Sequence, residues 1–303
     1  MSFSSDVKKE LCSIEQSNYC CRRAEAYGML FFARAFGIDD ISLMTDYDFV
    51  AERYSDAVSF LIQSEPEITV SKSGKFTVSV TDEDDRLDIL NELGYSGKER
   101  TMRILTTNIE NEDCCFGAFL RGVFLSCGII TDPKKEYHLE FDVAFMSKSR
   151  DLIEMFDGFS AVPKQSDRNG VNLIYFKDSY QIEDILTVMG AHNSVLSLIN
   201  EKILKDVRNK VNRKVNCDKA NIKKTCMAAA EQITAIQKLI DNEALDDLPA
   251  ELKEIALLRL DNPEMTLSEL GASLTVPISR SGVNHRLKKI IDTAKKLSEK
   301  PTE

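Results

Sequence analysis

Apolar and polar positions follow two different periods along this chain, and the change between them divides it. Up to residue 190, segments of helical period are interleaved with short β-rich runs; beyond it only the helical period remains. Residues 21–36 carry small and apolar side chains suited to a buried helix. Residues 41–45 read as a strand, and 47–63 as a helix through Val50, Ala57, Val58, Leu61 and Ile62. Residues 68–72 and 75–81 predict a hairpin around Ser73-Gly74, a pair suited to a type I′ turn. Residues 82–93 predict an acid-started helix closed by Gly94. The same order then returns. A helix at 114–127 is followed by a strand at 137–142 and a helix at 148–156. A hairpin of 160–165 and 171–177 around Asn169-Gly170 and a helix at 178–189 complete the second set. The two sets are spaced by roughly 90 residues, which marks an internal pseudo-duplication. A polar linker at 94–111 joins them.

Past Gly190, residues 200–215 and 221–239 predict two helices. An acidic connector at 241–248 ends at Pro249, a residue suited to a helix start. Leu252, Ile255, Ala256, Leu258 and Leu260 make the next helix. Thr266-Leu267-Ser268-Glu269 is then a capping box, in which an N-cap Thr and an acid three residues on satisfy two orphan backbone donors. Leu267, Leu270 and Leu274 form the stripe of that short helix, and Gly271 lets a second helix approach closely. Thr275-Val276-Pro277 ends it. Ser279 or Ser281 caps the last helix, which turns Val283, Leu287, Ile290, Ile291, Ala294 and Leu297 inward. Outward it presents Arg280, Asn284, His285, Arg286, Lys288 and Lys289. A capped short helix, a tight turn and a basic second helix is the docking order of a helix-turn-helix. Arg and Asn are the side chains that read guanine and adenine edges bidentately.

Charge sharpens this picture. The net charge is −10 over 303 residues, yet it is segregated. Residues 39–92 hold 14 acids and 4 bases, residues 201–225 hold 9 bases and 3 acids, and residues 276–300 hold 7 bases and 2 acids. Local field rather than total charge steers a protein to phosphate. No apolar run approaches the roughly 20 residues of a membrane span, and the first residues lack the basic and apolar regions of a signal peptide. The expectation is a cytoplasmic, nucleoid-associated protein with no membrane partner. The eight cysteines contain no CxxC pair. The vicinal pairs Cys20-Cys21 and Cys114-Cys115 read as poorly placed to chelate one tetrahedral zinc, so neither metal nor cofactor is expected.

Two stretches carry resemblances. Leu120-Arg-Gly-Val-Phe-Leu-Ser-Cys-Gly128 resembles the LAGLIDADG helix of homing endonucleases through Gly122, Gly128 and its apolar filling; residues 26–34 are a weaker copy. In that family two such helices pack through small residues, and an acid near each helix end holds a divalent metal. The corresponding positions here are Ala33 and Cys127. Alanine cannot ligate, a thiol is a poor magnesium ligand, and Asp132 is the one nearby carboxylate. The second stretch is the series Arg208-Asn209, Asn212-Arg213, Asn216-Cys217 and Asn221, with Gly190-Ala-His192-Asn193 before it and Ser281-Gly-Val-Asn284-His285-Arg286-Leu287 after it. With these the whole chain resembles the WhiA family of bacterial regulators, which fuse a degenerate LAGLIDADG domain to a C-terminal helix-turn-helix.

The resemblance implies an α+β fold. A pseudo-duplicated LAGLIDADG-like domain spans 1–198, with halves at about 20–105 and 112–190. A basic linker helix at 199–217 and an all-α domain at 218–303 follow, the latter holding a helix-turn-helix at about 266–297. It also implies a DNA-binding transcriptional regulator of cell division, chromosome segregation or sporulation, without nuclease activity. Two alternatives stand beside it: a protein-interaction module acting through the acidic N-terminal domain, and a residual metal-dependent DNA endonuclease. The expected partner is double-stranded DNA at promoter sites, with a second regulator or division protein beside it. Arg280, Ser281, Asn284, His285 and Arg286 are the candidate readers of bases and backbone, with Lys288 and Lys289 behind them. Arg208, Arg213, Lys214, Lys219, Lys223 and Lys224 are candidate phosphate contacts, which set affinity and register rather than sequence. The asparagines at 209, 212, 216 and 221 disfavour a helix interior and are expected to cap a break between two helices, with DNA contact as the alternative. His192 is assigned a structural role after Gly190.

Overall fold

A computed structural model describes residues 2–298 except 158 and 169. The chain forms two compact units, Met1–Lys205 and Asp206–Glu303.

In the first unit, helix α1 (Phe3–Cys12) precedes two copies of one arrangement. The first copy is α2 (Tyr19–Phe31), β1 (Ala35–Phe36), β2 (Ile41–Thr45), α3 (Asp48–Ile62), β3 (Glu67–Val70), β4 (Phe76–Ser79) and α4 (Glu83–Glu92). The second is α5 (Glu112–Cys127), β5 (Gly128–Ile130), β6 (Leu139–Val143), α6 (Met146–Glu154), β7 (Lys164–Arg168), β8 (Val171–Phe176) and α7 (Ser179–Met189). The sheets have matching antiparallel orders, β1-β2-β4-β3 and β5-β6-β8-β7. Within each, the second strand of the hairpin pairs with the strand that comes before the intervening helix, as in Leu43↔Val78 and Phe141↔Ile174. The expected α+β duplication is therefore present.

The two copies meet along α2 and α5. A Cβ on Gly28 would lie 2.3 Å from the Phe119 carbonyl, and one on Gly122 would lie 2.2 Å from that of Glu25. The glycines thus allow two backbones to touch, and Tyr27, Phe31, Phe119 and Phe124 fill the fully buried core beside them. One cluster of charges sits in this seam. Glu25 accepts from Arg121 Nε at 2.8 Å and from Arg53 Nε at 2.7 Å, and Arg121 also donates to the Met189 carbonyl at 2.7 Å. Every buried charge here has a partner, as a low-dielectric interior requires.

Several expectations are corrected. The helix predicted to reach residue 36 stops at Phe31, because Ala35 and Phe36 pair with Ser42 and Ile41 as an edge strand. The first hairpin does not turn as type I′: only Gly74 has positive φ (+82°), and its N–H donates to the Ser71 carbonyl. That is a type I turn followed by a left-handed glycine. In the second hairpin Gly170 has φ +82°, and Asn169 lies outside the described residues. The two helices predicted beyond Gly190 are one helix of 50 residues, α8 (His192–Asp241). Asn209, Asn212, Asn216 and Asn221 therefore cap nothing and lie exposed in its interior. Its real cap comes from α1: the Glu10 carboxylate accepts from the Asn193 and Ser194 N–H groups at 2.7 and 3.0 Å. His192 is exposed at the first position of the helix.

The cysteine reading is corrected as well. Cys20 and Cys21 lie in the first turn of α2, Cys114 and Cys115 in that of α5, and their four sulfurs all lie within 4.8 Å of one another. The separation in sequence that relates Gly28 to Gly122 also relates Cys20 to Cys114 and Cys21 to Cys115. Each vicinal pair is poorly placed alone, but the duplication sets the second pair against the first.

In the second unit, α9 (Ala250–Asp261), α10 (Leu267–Ala272) and α11 (Arg280–Ser298) pack on the C-terminal part of α8. Their shared core is Ile236 and Leu239 of α8, Ile255, Leu270 and Leu274, and the α11 stripe Val283, Leu287, Ile290 and Ala294, all buried. Ile291 and Leu297 are half-buried at its margin. Among the described residues, no helix is long and apolar enough to cross a membrane.

Candidate nucleic-acid interface

The helix-turn-helix is assembled from local signals. The capping box closes as expected: the Thr266 hydroxyl accepts from the Glu269 N–H at 3.3 Å, and the Glu269 carboxylate accepts from the Thr266 N–H at 2.7 Å. The Thr266 N–H, with the Thr266 hydroxyl beside it, holds the Glu269 carboxyl below its usual range. Gly271 brings the turn onto α10, since a Cβ there would meet the Ile278 carbonyl at 2.4 Å and Val283 Cγ2 at 3.0 Å. From α9, Glu254 accepts from the Thr275 N–H at 2.6 Å and fixes the turn. Ser279 caps α11, its hydroxyl accepting from the Gly282 N–H at 3.3 Å. Arg259, 2 % exposed, donates to the Met265 carbonyl at 2.7 Å and anchors the connection into α10. Burial lowers the Arg259 pKa. Sequence reasoning missed Arg259, which reads as an ordinary surface base.

With the core stripe turned inward, Arg280, Ser281, Asn284, His285, Lys288 and Lys289 form the exposed face of α11. Among the described residues, none of these bases has an ionic partner. Arg286 is different. It sits roughly 70° from the core direction at 100° per residue, on the flank rather than the outer face. Its guanidinium is paired with Glu251 of α9 at 2.8 Å. The expectation that it points outward with its neighbours is corrected: it fastens α11 to α9.

On α8, residues 206–228 are exposed on every side. Arg208, Arg213, Lys214, Lys219, Lys223 and Lys224 all lie there, without ionic partners among the described residues. The chain thus carries a second basic helical surface, separate in sequence from α11.

The C-terminal ends of α2 and α5, where the endonuclease resemblance places the metal ligands, border a cavity of about 670 Å³. Ala33 and Cys127 line it as expected, together with Asp46 and Asp142. Two buried lysines occupy the helix ends. Lys148 Nζ donates to the Phe31 carbonyl at 2.5 Å, and Lys8 Nζ donates to the Leu125 carbonyl at 3.0 Å. An ammonium suits the negative end of a helix dipole. Burial lowers both lysines to about 8 and pushes the Cys127 thiol up to about 12. Asp142 is also raised by burial. Asp132 is elsewhere employed, its carboxylate accepting from the Lys134 N–H in the turn after β5. The helix ends therefore present two cations where a divalent-metal site needs hard anionic oxygen.

Comparison with known proteins agrees with this geometry. The model of the WhiA LAGLIDADG-like domain matches residues 116–208, and that of the WhiA C-terminal HTH domain matches residues 211–294. A "Probable cell division protein WhiA" from Carboxydothermus hydrogenoformans is 36% identical over 98% of both chains. Its namesake from Caldicellulosiruptor saccharolyticus is 36% identical over 98% of this chain and 96% of its own. The chain belongs to the WhiA family. The crystal structure of full-length WhiA from Thermatoga maritima is matched over 98% of this chain and 99% of its own, at 25% identity and a TM-score of 0.60. The fold is thus a LAGLIDADG-like domain followed by a helix-turn-helix DNA-binding domain.

Proposed function

We propose that this WhiA-family chain is a transcription regulator of cell division that binds promoter DNA through α11 and has no nuclease activity. The observation that carries the reading is the division of labour on α11. One face is buried against α8, α9 and α10, and the other presents Arg280, Ser281, Asn284 and His285 exposed, without ionic partners among the described residues, beside a turn fixed by Gly271 and Glu254. Asn284 and Arg280 are assigned to base edges, and Lys288 and Lys289 to flanking phosphates. Arg208, Arg213, Lys214, Lys223 and Lys224 of α8 add phosphate contacts that raise affinity without reading sequence. The names of the relatives support a place in cell division. Chromosome segregation and sporulation are further expressions of the same regulatory role.

The absence of catalysis is inferred from the helix ends. Hydrolysis of a phosphodiester by this fold needs carboxylates at the two helix ends that hold a divalent ion, but Ala33 and Cys127 stand there, and the cavity's Asp46 and Asp142 face the buried Lys8 instead. The test is a nicking and binding assay on supercoiled plasmid and selected duplexes with magnesium or manganese. The reading predicts sequence-selective retention and no nicked product. Metal-dependent nicking that scales with enzyme and is lost on Asp142→Ala would overturn it.

A protein-interaction role is the second reading, carried not by the acidic N-terminal domain but by α8, where Val207, Val211 and Val215 form an exposed apolar stripe. It predicts self-association or partner retention that a triple Ser variant loses, measured by sedimentation.

A further inference from the structure

We infer that Cys20, Cys21, Cys114 and Cys115 form a tetrathiolate site for one zinc ion, which staples the two halves of the LAGLIDADG-like unit at the start of their shared helix pair.

The geometry carries this. All four sulfurs lie within 4.8 Å of one another, and the Cys114 and Cys115 sulfurs are 3.8 Å apart. A tetrahedral ion with Zn–S bonds of about 2.3 Å holds its sulfurs about 3.8 Å apart. Closing from the present separations takes less than roughly 1 Å per sulfur, within reach of side-chain rotation. No helix has to move, because the close approach of α2 and α5 through Gly28 and Gly122 already sets the two first turns side by side.

The donor set selects the ion. The four ligands are all thiol sulfur, with no carboxylate or imidazole among them. Such a set favours soft or borderline ions and disfavours magnesium and calcium. Each sulfur projects from the first turn of a helix, Cys20 and Cys21 from α2 and Cys114 and Cys115 from α5. Binding is balanced as one Zn²⁺ and four thiols giving one tetrathiolate of charge −2 and four protons to solvent. Cys21 and Cys115 are buried while Cys20 and Cys114 remain within reach of solvent, which leaves an entry path. Two ligands from each half make the ion a cross-link between sequence-distant segments, and it stabilises the folded state by its own binding free energy.

The site lies at the opposite helix ends from Ala33 and Cys127 and is independent of the DNA-binding reading. The test uses the full chain, reduced and freed of metal, then titrated anaerobically with Co²⁺ and back-titrated with Zn²⁺. The expected result is one cobalt per chain with the ligand-field and sulfur charge-transfer bands of a tetrahedral tetrathiolate, displaced by one equivalent of zinc. Cys20→Ser/Cys114→Ser should lose that spectrum, and Cys217→Ser/Cys226→Ser should keep it. A second readout avoids variants: zinc should protect these four thiols from alkylation, mapped by mass spectrometry, while Cys217 and Cys226 on α8 stay reactive. Absence of the tetrathiolate spectrum in the reduced parent chain would overturn the inference. So would equal alkylation with and without zinc, or isolation of the chain with the two pairs already joined as disulfides.

Discussion

Gly122→Ala separates two opposing effects whose sizes the structure supplies. In an exposed helix interior, alanine is favoured over glycine by about 1 kcal/mol. Here the new Cβ would stand 2.2 Å from the Glu25 carbonyl oxygen and 2.8 Å from the Met29 nitrogen. Both are backbone atoms of α2, so no side chain can rotate away. Restoring ordinary contact means parting the helices by roughly 1 Å, in an interior packed as densely as an organic crystal. That would loosen the packing of Tyr27 against Phe119 and stretch the Arg121–Glu25 pair. Overpacking of this kind costs about 1–3 kcal/mol and at times more. Because the obstacle is backbone on a buried seam, the upper part of that range applies. The net loss expected is about 2 kcal/mol, a fall of roughly 4–8 °C in the melting of a unit this size. The assay is thermal and urea unfolding of the full chain, following the transition of the Met1–Lys205 unit. Gly37→Ala is the control, since nothing lies within 4 Å of its Cβ position and its φ is not positive. If Gly122→Ala is as stable as the parent, the close-packed seam described above is wrong.

Other consequences are as specific. Glu25→Ala leaves Arg121 and Arg53 without their shared carboxylate, and should cost about 3–5 kcal/mol in chemical denaturation, as removal of one partner from a buried ion pair does. Lys8 and Lys148 are lowered from 10.5 to about 8 by burial. Between pH 8 and 10.5 the unfolded chain therefore holds more protons, and their contribution to stability rises with pH. Lys8 faces Cys127, Cys12, Asp46 and Asp142, so its effect is read as the difference between parent and Lys8→Met. The parent should gain on the variant as pH rises through that window, by up to roughly 3 kcal/mol. A flat difference would show that Lys8 is not buried as a charge. Thr266→Ala removes one side of the capping box and should cost about 1 kcal/mol, seen as lower stability of the helical unit.

The elements that sequence periodicity located well are those whose signals are local. The first hairpin, the Asp82 and Asp178 helix starts and the Thr266 box each depend on a few adjacent residues, whereas the strand expected at 160–165 forms at Lys164–Arg168, where it pairs with β8. The errors arise where distant partners decide. Residues 35–36 and 128–130 are strands only because β2 and β6 offer edges to pair with. The asparagines of α8 looked like a helix break, yet their bare, solvated surroundings tolerate polar side chains in a continuous helix. Arg286 has the composition of a DNA reader, but Glu251, 35 residues earlier, claims it. The cysteine pairs converge only after the duplication is folded. The outward face of α11 was legible because a 3.6-residue period fixes both faces at once.

Whether α11 reads DNA is tested by affinity, measured by fluorescence anisotropy across a salt series. The measurement compares the parent with Arg280→Ala/Asn284→Ala on a selected site and on random duplex. A DNA-reading α11 predicts a steep salt slope for the parent, near −0.9 per phosphate neutralised. It also predicts that the variant loses about 1–3 kcal/mol of discrimination per contact on the selected site, with random binding much less affected. Parent and variant binding the selected site alike, or no binding by the parent tighter than about 10⁻⁴ M, would contradict it.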